Sequence, residues 1–222
     1  MGWPRSPPLS GVVNSNRSRV PAWVATLAEM YPFVCRFKVG GETKSMTVIG
    51  QPETTEYAPY YERYVSLVRG DDILSTLDEQ KRAFRRALSE LAAERAGFRY
   101  APDKWTIREV VGHCTDAERV FSYRALCFAR GEKAPLPSFD ENEYARHSGH
   151  DSVPLPDLLE EFESVRAAAL LQFRHFPNEA WQRSGVASGK PGSVRALAHI
   201  MAGHVAHHLG ILRERYGVPI AG

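Results

Sequence analysis

The chain has 222 residues, 43% of them hydrophobic and 24% charged, which suits one globular domain with a full core, alone or with an extension. The formal net charge of +2 is unevenly spread: residues 1–45 carry six basic and two acidic residues, which leaves 46–222 at −2. A mildly acidic body without Gly-rich phosphate loops, nucleotide fingerprints or a basic groove excludes nucleic-acid and nucleotide chemistry from the expected functions.

Residues 1–50 are rich in Pro, Ser, Gly and Arg and show no sustained period, so they read as a disordered leader or as the product of a mis-called start upstream of Met46. The moderately apolar run 23–35 is interrupted by Glu29 and Pro32, so neither a signal peptide nor a membrane span is expected. Cys35, Cys114 and Cys127 cannot all pair and show no CxxC spacing, which fits a reduced, cytoplasmic location.

From Glu56 the character changes, and Tyr57, Tyr60, Tyr61 and Tyr64 form an aromatic lead-in expected to pack along a bundle. Gly70-Asp71-Asp72 offers a turn and an N-cap, and Ile73, Leu74, Leu77, Phe84, Leu88 and Leu91 then predict a first helix over about 71–95. After an aromatic connector, Thr106 and Glu109 form a capping box that opens a second helix running to about Arg130. Its apolar stripe includes Val110, Val111, Cys114, Ala117, Phe121 and Ala125, and His113 borders that stripe.

Residues 131–155 form a long crossover with a short helix near 140–147, and Pro156-Asp157 opens a third helix that ends near Phe176. Pro177–Trp181 predicts a single turn and Gly185–Gly192 a flexible connector, after which Ser193 caps a fourth helix. No strand pattern is visible within 71–217. The fold class is therefore all-α, a four-helix bundle with a long crossover between its second and third helices, spanning about 51–218.

The fourth helix carries four of the eight histidines within ten residues. His204 and His208 lie one turn apart on the apolar stripe of Leu197 and Met201, whereas His207 lies about a hundred degrees further round. Two inward imidazoles at this spacing suit a transition metal, and a hydrogen-bonded polar pair inside the bundle is the alternative. His113 supplies a third imidazole from the second helix. Three neutral imidazoles with other positions left to water make an open site of the catalytic kind. Asp116, one turn after His113, is the candidate that would orient an imidazole from behind, unless it is a solvated helix carboxylate. Glu118 and Arg124 are expected to form a buried ion pair. Asp140 is expected either to close over the metal or to cap the short helix, and Cys114 to be a small core residue.

Four stretches together resemble the DinB superfamily, and more closely its DinB_2 branch. They are Tyr-Ala-Pro-Asp-Lys-Trp-Thr-Ile-Arg-Glu-Val-Val-Gly-His113-Cys-Thr-Asp116-Ala-Glu-Arg, Pro137-Ser-Phe-Asp140-Glu-Asn-Glu-Tyr, Leu159-Glu-Glu-Phe-Glu-Ser-Val-Arg and Ser193-Val-Arg-Ala-Leu-Ala-His-Ile-Met-Ala-Gly-His204-Val-Ala-His-His208. The resemblance spans about 52–216 and leaves 1–50 without a counterpart. It implies a four-helix bundle with a metal held by His113, His204 and His208. It also implies a divalent-metal-dependent enzyme of the thiol S-transferase type, with zinc, nickel or iron as the ion and a low-molecular-weight thiol as cosubstrate. A non-catalytic metal-binding stress-response protein is the alternative. The expected partner is a small-molecule substrate, with no nucleic acid and no membrane, and a homodimer is left open.

Overall fold

The computed structural model describes residues 49–70 and 72–219. The expectations for the leader, for Met46 and for Cys35 lie outside the described residues. Four long helices dominate: α1 Ile73–Leu88, α2 Ile107–Ala129, α3 Leu155–Arg174 and α4 Val194–Tyr216. Each of α1 and α2 packs against both α3 and α4, so α1 and α2 occupy diagonal corners of the bundle. Among the described residues, no helix is long and apolar enough to cross a membrane.

Helix starts follow from side chains that satisfy the free N–H groups of the first turn. The Asp72 carboxylate accepts from Leu74 N at 3.1 Å, and the Ser193 hydroxyl accepts from Ala196 N at 2.9 Å. At α2 the capping box is complete: Thr106 Oγ1 accepts from Glu109 N, and Thr106 N donates to Glu109 Oε2 at 2.7 Å. Helix α4 ends where Gly217 turns left-handed at φ 65°.

The first helix is shorter than its apolar spacing predicts. It stops at Leu88, and a separate one-turn helix follows at Ala93–Ala96. Nothing local marks the break; it lets Ala96 enter the core and brings the Arg95 guanidinium to the carbonyl of Tyr216 at 2.6 Å. The connection between α2 and α3 holds the short helix Glu141–Ser148, started by Asp140, whose carboxylate accepts from Asn142 N and Glu143 N.

A larger departure lies between α3 and α4. The stretch expected to be a strandless, flexible connector forms an antiparallel hairpin, β1 Ser184–Ala187 paired with β2 Lys190–Ser193. The two turn residues both have positive φ, Ser188 at 53° and Gly189 at 68°, as a two-residue type I′ hairpin turn requires. Gly185 fits because an ideal Cβ there would lie 2.2 Å from the Phe128 ring. Strands of four residues, rich in Gly and with Pro191 inside, carry no alternating pattern that would announce them.

Candidate metal centre

Helices α2 and α4 pack along each other and bring three buried imidazoles together. The Nε2 atoms of His113 and His204 lie 3.0 Å apart and those of His204 and His208 3.2 Å apart; a ligand atom from each of the three falls within 4.8 Å of the others. Burial pulls the pKa of His113 down to about 4 and holds those of His204 and His208 well below 6.5, each further lowered by the neighbouring imidazoles. All three rings are therefore neutral near pH 7, the form that carries a free lone pair.

Hydrogen bonding alone does not satisfy this arrangement. A neutral imidazole nitrogen bears either one proton or one lone pair, so His204 Nε2 can make a hydrogen bond to only one of its two close neighbours. His208 Nδ1 is also buried without a partner. A cation among the three lone pairs removes the conflict, and two imidazoles on a tetrahedral ion would have their nitrogens roughly 3.3 Å apart. The donor set fits a divalent transition metal; which one it does not decide.

The rings are held by aromatic neighbours. The Trp105 ring lies 4.7 Å from that of His113, and Phe139 stacks nearly parallel to it at 6.4 Å. Tyr64 presents its ring at 5.5 Å to both His204 and His207. The tyrosine lead-in can come this close because residue 203 is glycine: an ideal Cβ there would lie 2.0 Å from the Tyr64 carbonyl oxygen. The lead-in is tied to the start of α4, with the Ser193 hydroxyl donating to Glu56 at 2.6 Å and Arg195 pairing with the same carboxylate.

Above the imidazoles lies a cavity of about 390 Å³, walled by Tyr60, Tyr61 and Tyr64 from the lead-in, Trp105 and Phe121, Phe139 of the α2–α3 connection, and Ser188 and Lys190 of the hairpin. Burial pushes the Tyr64 phenol up to about 12, so it remains a protonated donor at neutral pH.

His113, His204 and His208 are brought together at the cavity floor, and His207 stands half-buried on its wall, 5.2 Å from the His208 ring. Asp116 is not brought to them. It lies half-buried beside Arg119 at 3.4 Å, makes no hydrogen bond to the three imidazoles, and has its pKa raised by burial. Asp140 caps the short helix, and its neighbours Ser138, Phe139 and Glu141 line the cavity instead. Cys114 is wholly buried and its thiol is pushed up by burial, as suits a core residue.

The expected Glu118–Arg124 pair does not form. Glu118 instead takes both ends of the fully buried Arg166, which donates Nε to Oε2 at 2.6 Å and Nη2 to Oε1 at 2.7 Å. The two residues stand 48 apart in sequence, on α2 and α3, so no spacing within one helix points to the pair. Arg124 faces the cavity, a role that its place three turns beyond His113 on the same face of α2 makes readable afterwards.

YfiT from Bacillus subtilis, described as a probable metal-dependent hydrolase with an unusual four-helix bundle topology, aligns with a TM-score of 0.58 at 16% identity over 66% of this chain and 87% of its own. A mycothiol-dependent maleylpyruvate isomerase aligns with a TM-score of 0.55 at 15% identity over 69% of this chain, which spans only 63% of that enzyme. At such identities the likeness is one of fold. No curated protein matches the chain. The DinB superfamily model matches residues 76–212, well over half of the sequence, and the chain belongs to the DinB superfamily.

Proposed function

We propose that the protein is a divalent-metal-dependent enzyme of the thiol S-transferase type, with His113, His204 and His208 as the metal ligands. The observation that carries this reading is the convergence of three neutral imidazoles at the floor of a cavity of about 390 Å³, with space beside them for substrate. A purely structural ion has no use for such a space and is usually closed off by a fourth protein ligand. A bound divalent ion supplies Lewis-acid stabilisation of a thiolate at neutral pH, the activated form of the nucleophile.

The chain's own residues do the rest. Trp105 and Phe139 confine the His113 ring, and Tyr64 confines that of His204. The tyrosine wall limits water at the reacting atoms, and the protonated Tyr64 phenol is available as a hydrogen-bond donor to substrate. Neither Cys114 nor Asp116 is assigned a chemical step. The thiol dependence of the isomerase and the metal dependence ascribed to YfiT lend support from two relatives by fold.

The test is a fluorogenic alkylation. Chain loaded in turn with zinc, nickel or iron is mixed with a low-molecular-weight thiol and monochlorobimane. A carbon–sulfur bond forms, the carbon–chlorine bond breaks, chloride leaves, and the thiol proton passes to solvent. The expected result is a metal-dependent rate well above that of His204→Ala loaded in the same way. Equal rates for the wild type, His204→Ala and a protein-free control across a panel of thiols would overturn the transferase assignment.

A further inference from the structure

Two arginines are buried within the bundle, and they are treated differently. Arg166, wholly buried, is neutralised by the carboxylate of Glu118. Arg124 is only 4% exposed, yet no carboxylate lies within ion-pair distance of it among the described residues. Both hydrogens of its Nη2 go to neutral acceptors, the Pro137 carbonyl at 3.0 Å and the Ser188 hydroxyl at 2.8 Å. A buried charge without a counter-ion is costly, so such a charge is ordinarily balanced.

The guanidinium lines the same cavity as the three histidines. The Phe121 ring lies 6.0 Å from the His204 ring and 6.0 Å from the guanidinium carbon, and all three groups line the one cavity. Lys190 and Arg63, on the cavity wall, add two more cations near the Tyr60 ring, against the single carboxylate of Glu141. Ser188 is kept in a left-handed conformation that a non-glycine residue rarely adopts. That conformation puts its hydroxyl on the guanidinium and so fixes the plane of the charge.

We propose that the cavity takes substrates bearing a carboxylate, which Arg124 binds with Lys190 beside it, while the reacting end of the molecule lies over the three histidines. This rests on the cavity being the substrate site of the function proposed above. A phosphate is the poorer fit. Phosphate sites draw on cradles of free backbone N–H groups, and the start of the eight-residue helix that borders the cavity at Glu141 is already occupied by its own Asp140 cap.

Calorimetric titration of the full, zinc-loaded chain with succinate, with its neutral diamide succinamide and with inorganic phosphate tests the assignment. The wild type should bind succinate at least tenfold more tightly than succinamide and more tightly than phosphate. Arg124→Met should remove that preference, and Lys190→Met should reduce it several-fold. Repeating the series on chelator-treated chain, where metal ligation contributes nothing, should preserve the preference. Equal binding of diacid and diamide by the wild type would overturn the proposal and leave Arg124 as a clamp between the hairpin and Pro137. Tighter binding of phosphate would overturn the carboxylate assignment. The wild-type comparison decides even if Arg124→Met does not fold. Because the titrations read binding and not turnover, a failed thiol-transfer assay leaves their outcome separate.

Discussion

Replacing Glu118 by Gln removes one charge from the most deeply buried ion pair of the bundle while keeping its shape. Glu118 is 1% exposed and Arg166 wholly buried, and two hydrogen bonds of 2.6 and 2.7 Å join them. The variant leaves a guanidinium in the core with only neutral acceptors: the Leu77 carbonyl at 3.0 Å, Gln80 Oε1 at 3.4 Å and the oxygen of the new amide. Breaking a buried pair by removing one partner costs about 3–5 kcal/mol, most of it the desolvation of the charge left behind. For a domain of this size each kcal/mol lowers Tm by about 2–4 °C, so the fall should be roughly 6–20 °C. Urea unfolding followed by far-UV circular dichroism should show a lower midpoint with an unchanged slope. The double variant Glu118→Leu with Arg166→Met, which removes both charges, should recover most of the loss. A Glu118→Gln variant within about 1 kcal/mol of the wild type, or a double variant no better than the single, would mean that Glu118 is not what balances the buried guanidinium.

Two further outcomes follow from the packing around the cavity. Gly203→Ala should push the tyrosine lead-in off α4, because its Cβ would meet the Tyr64 backbone and not a yielding side-chain tip. The expected cost is about 1–3 kcal/mol in chemical unfolding, and Trp105 emission should shift as the wall opens; an unchanged variant would contradict the close approach. Metal-free chain should lose stability as pH falls from about 6.5 toward 4, because the unfolded chain takes up protons that buried His113, His204 and His208 refuse. Melting temperatures at pH 7.5 and 4.5 check the sign, and a metal-free chain equally stable at both would contradict it.

Much of the bundle was legible because its signals are local. Thr106 with Glu109 and Ser193 mark helix starts, and the spacing of His204 and His208 on an apolar stripe places both inward while leaving His207 at the side. What escaped depends on contacts between distant segments. The Glu118–Arg166 pair joins different helices, and the hairpin forms because Gly185 packs on Phe128 and Ser188 on Arg124. Neither leaves a period in the sequence. The tyrosines of the lead-in were visible as aromatic residues. Their place over the site depends on Gly203, whose lack of a side chain matters only once Tyr64 lies against it.

On the proposed reading, His113, His204 and His208 together hold one metal ion. Elemental analysis of tag-free chain after dialysis against a weak chelator tests it most directly, with each of the three changed to Ala and His207→Ala alongside. Close to one equivalent of a divalent transition metal is expected in the wild type and in His207→Ala, and almost none in the other three variants, with far-UV spectra unchanged. A wild type that retains no metal when offered zinc, nickel or iron, or a His207→Ala variant that loses as much as His208→Ala, would contradict it.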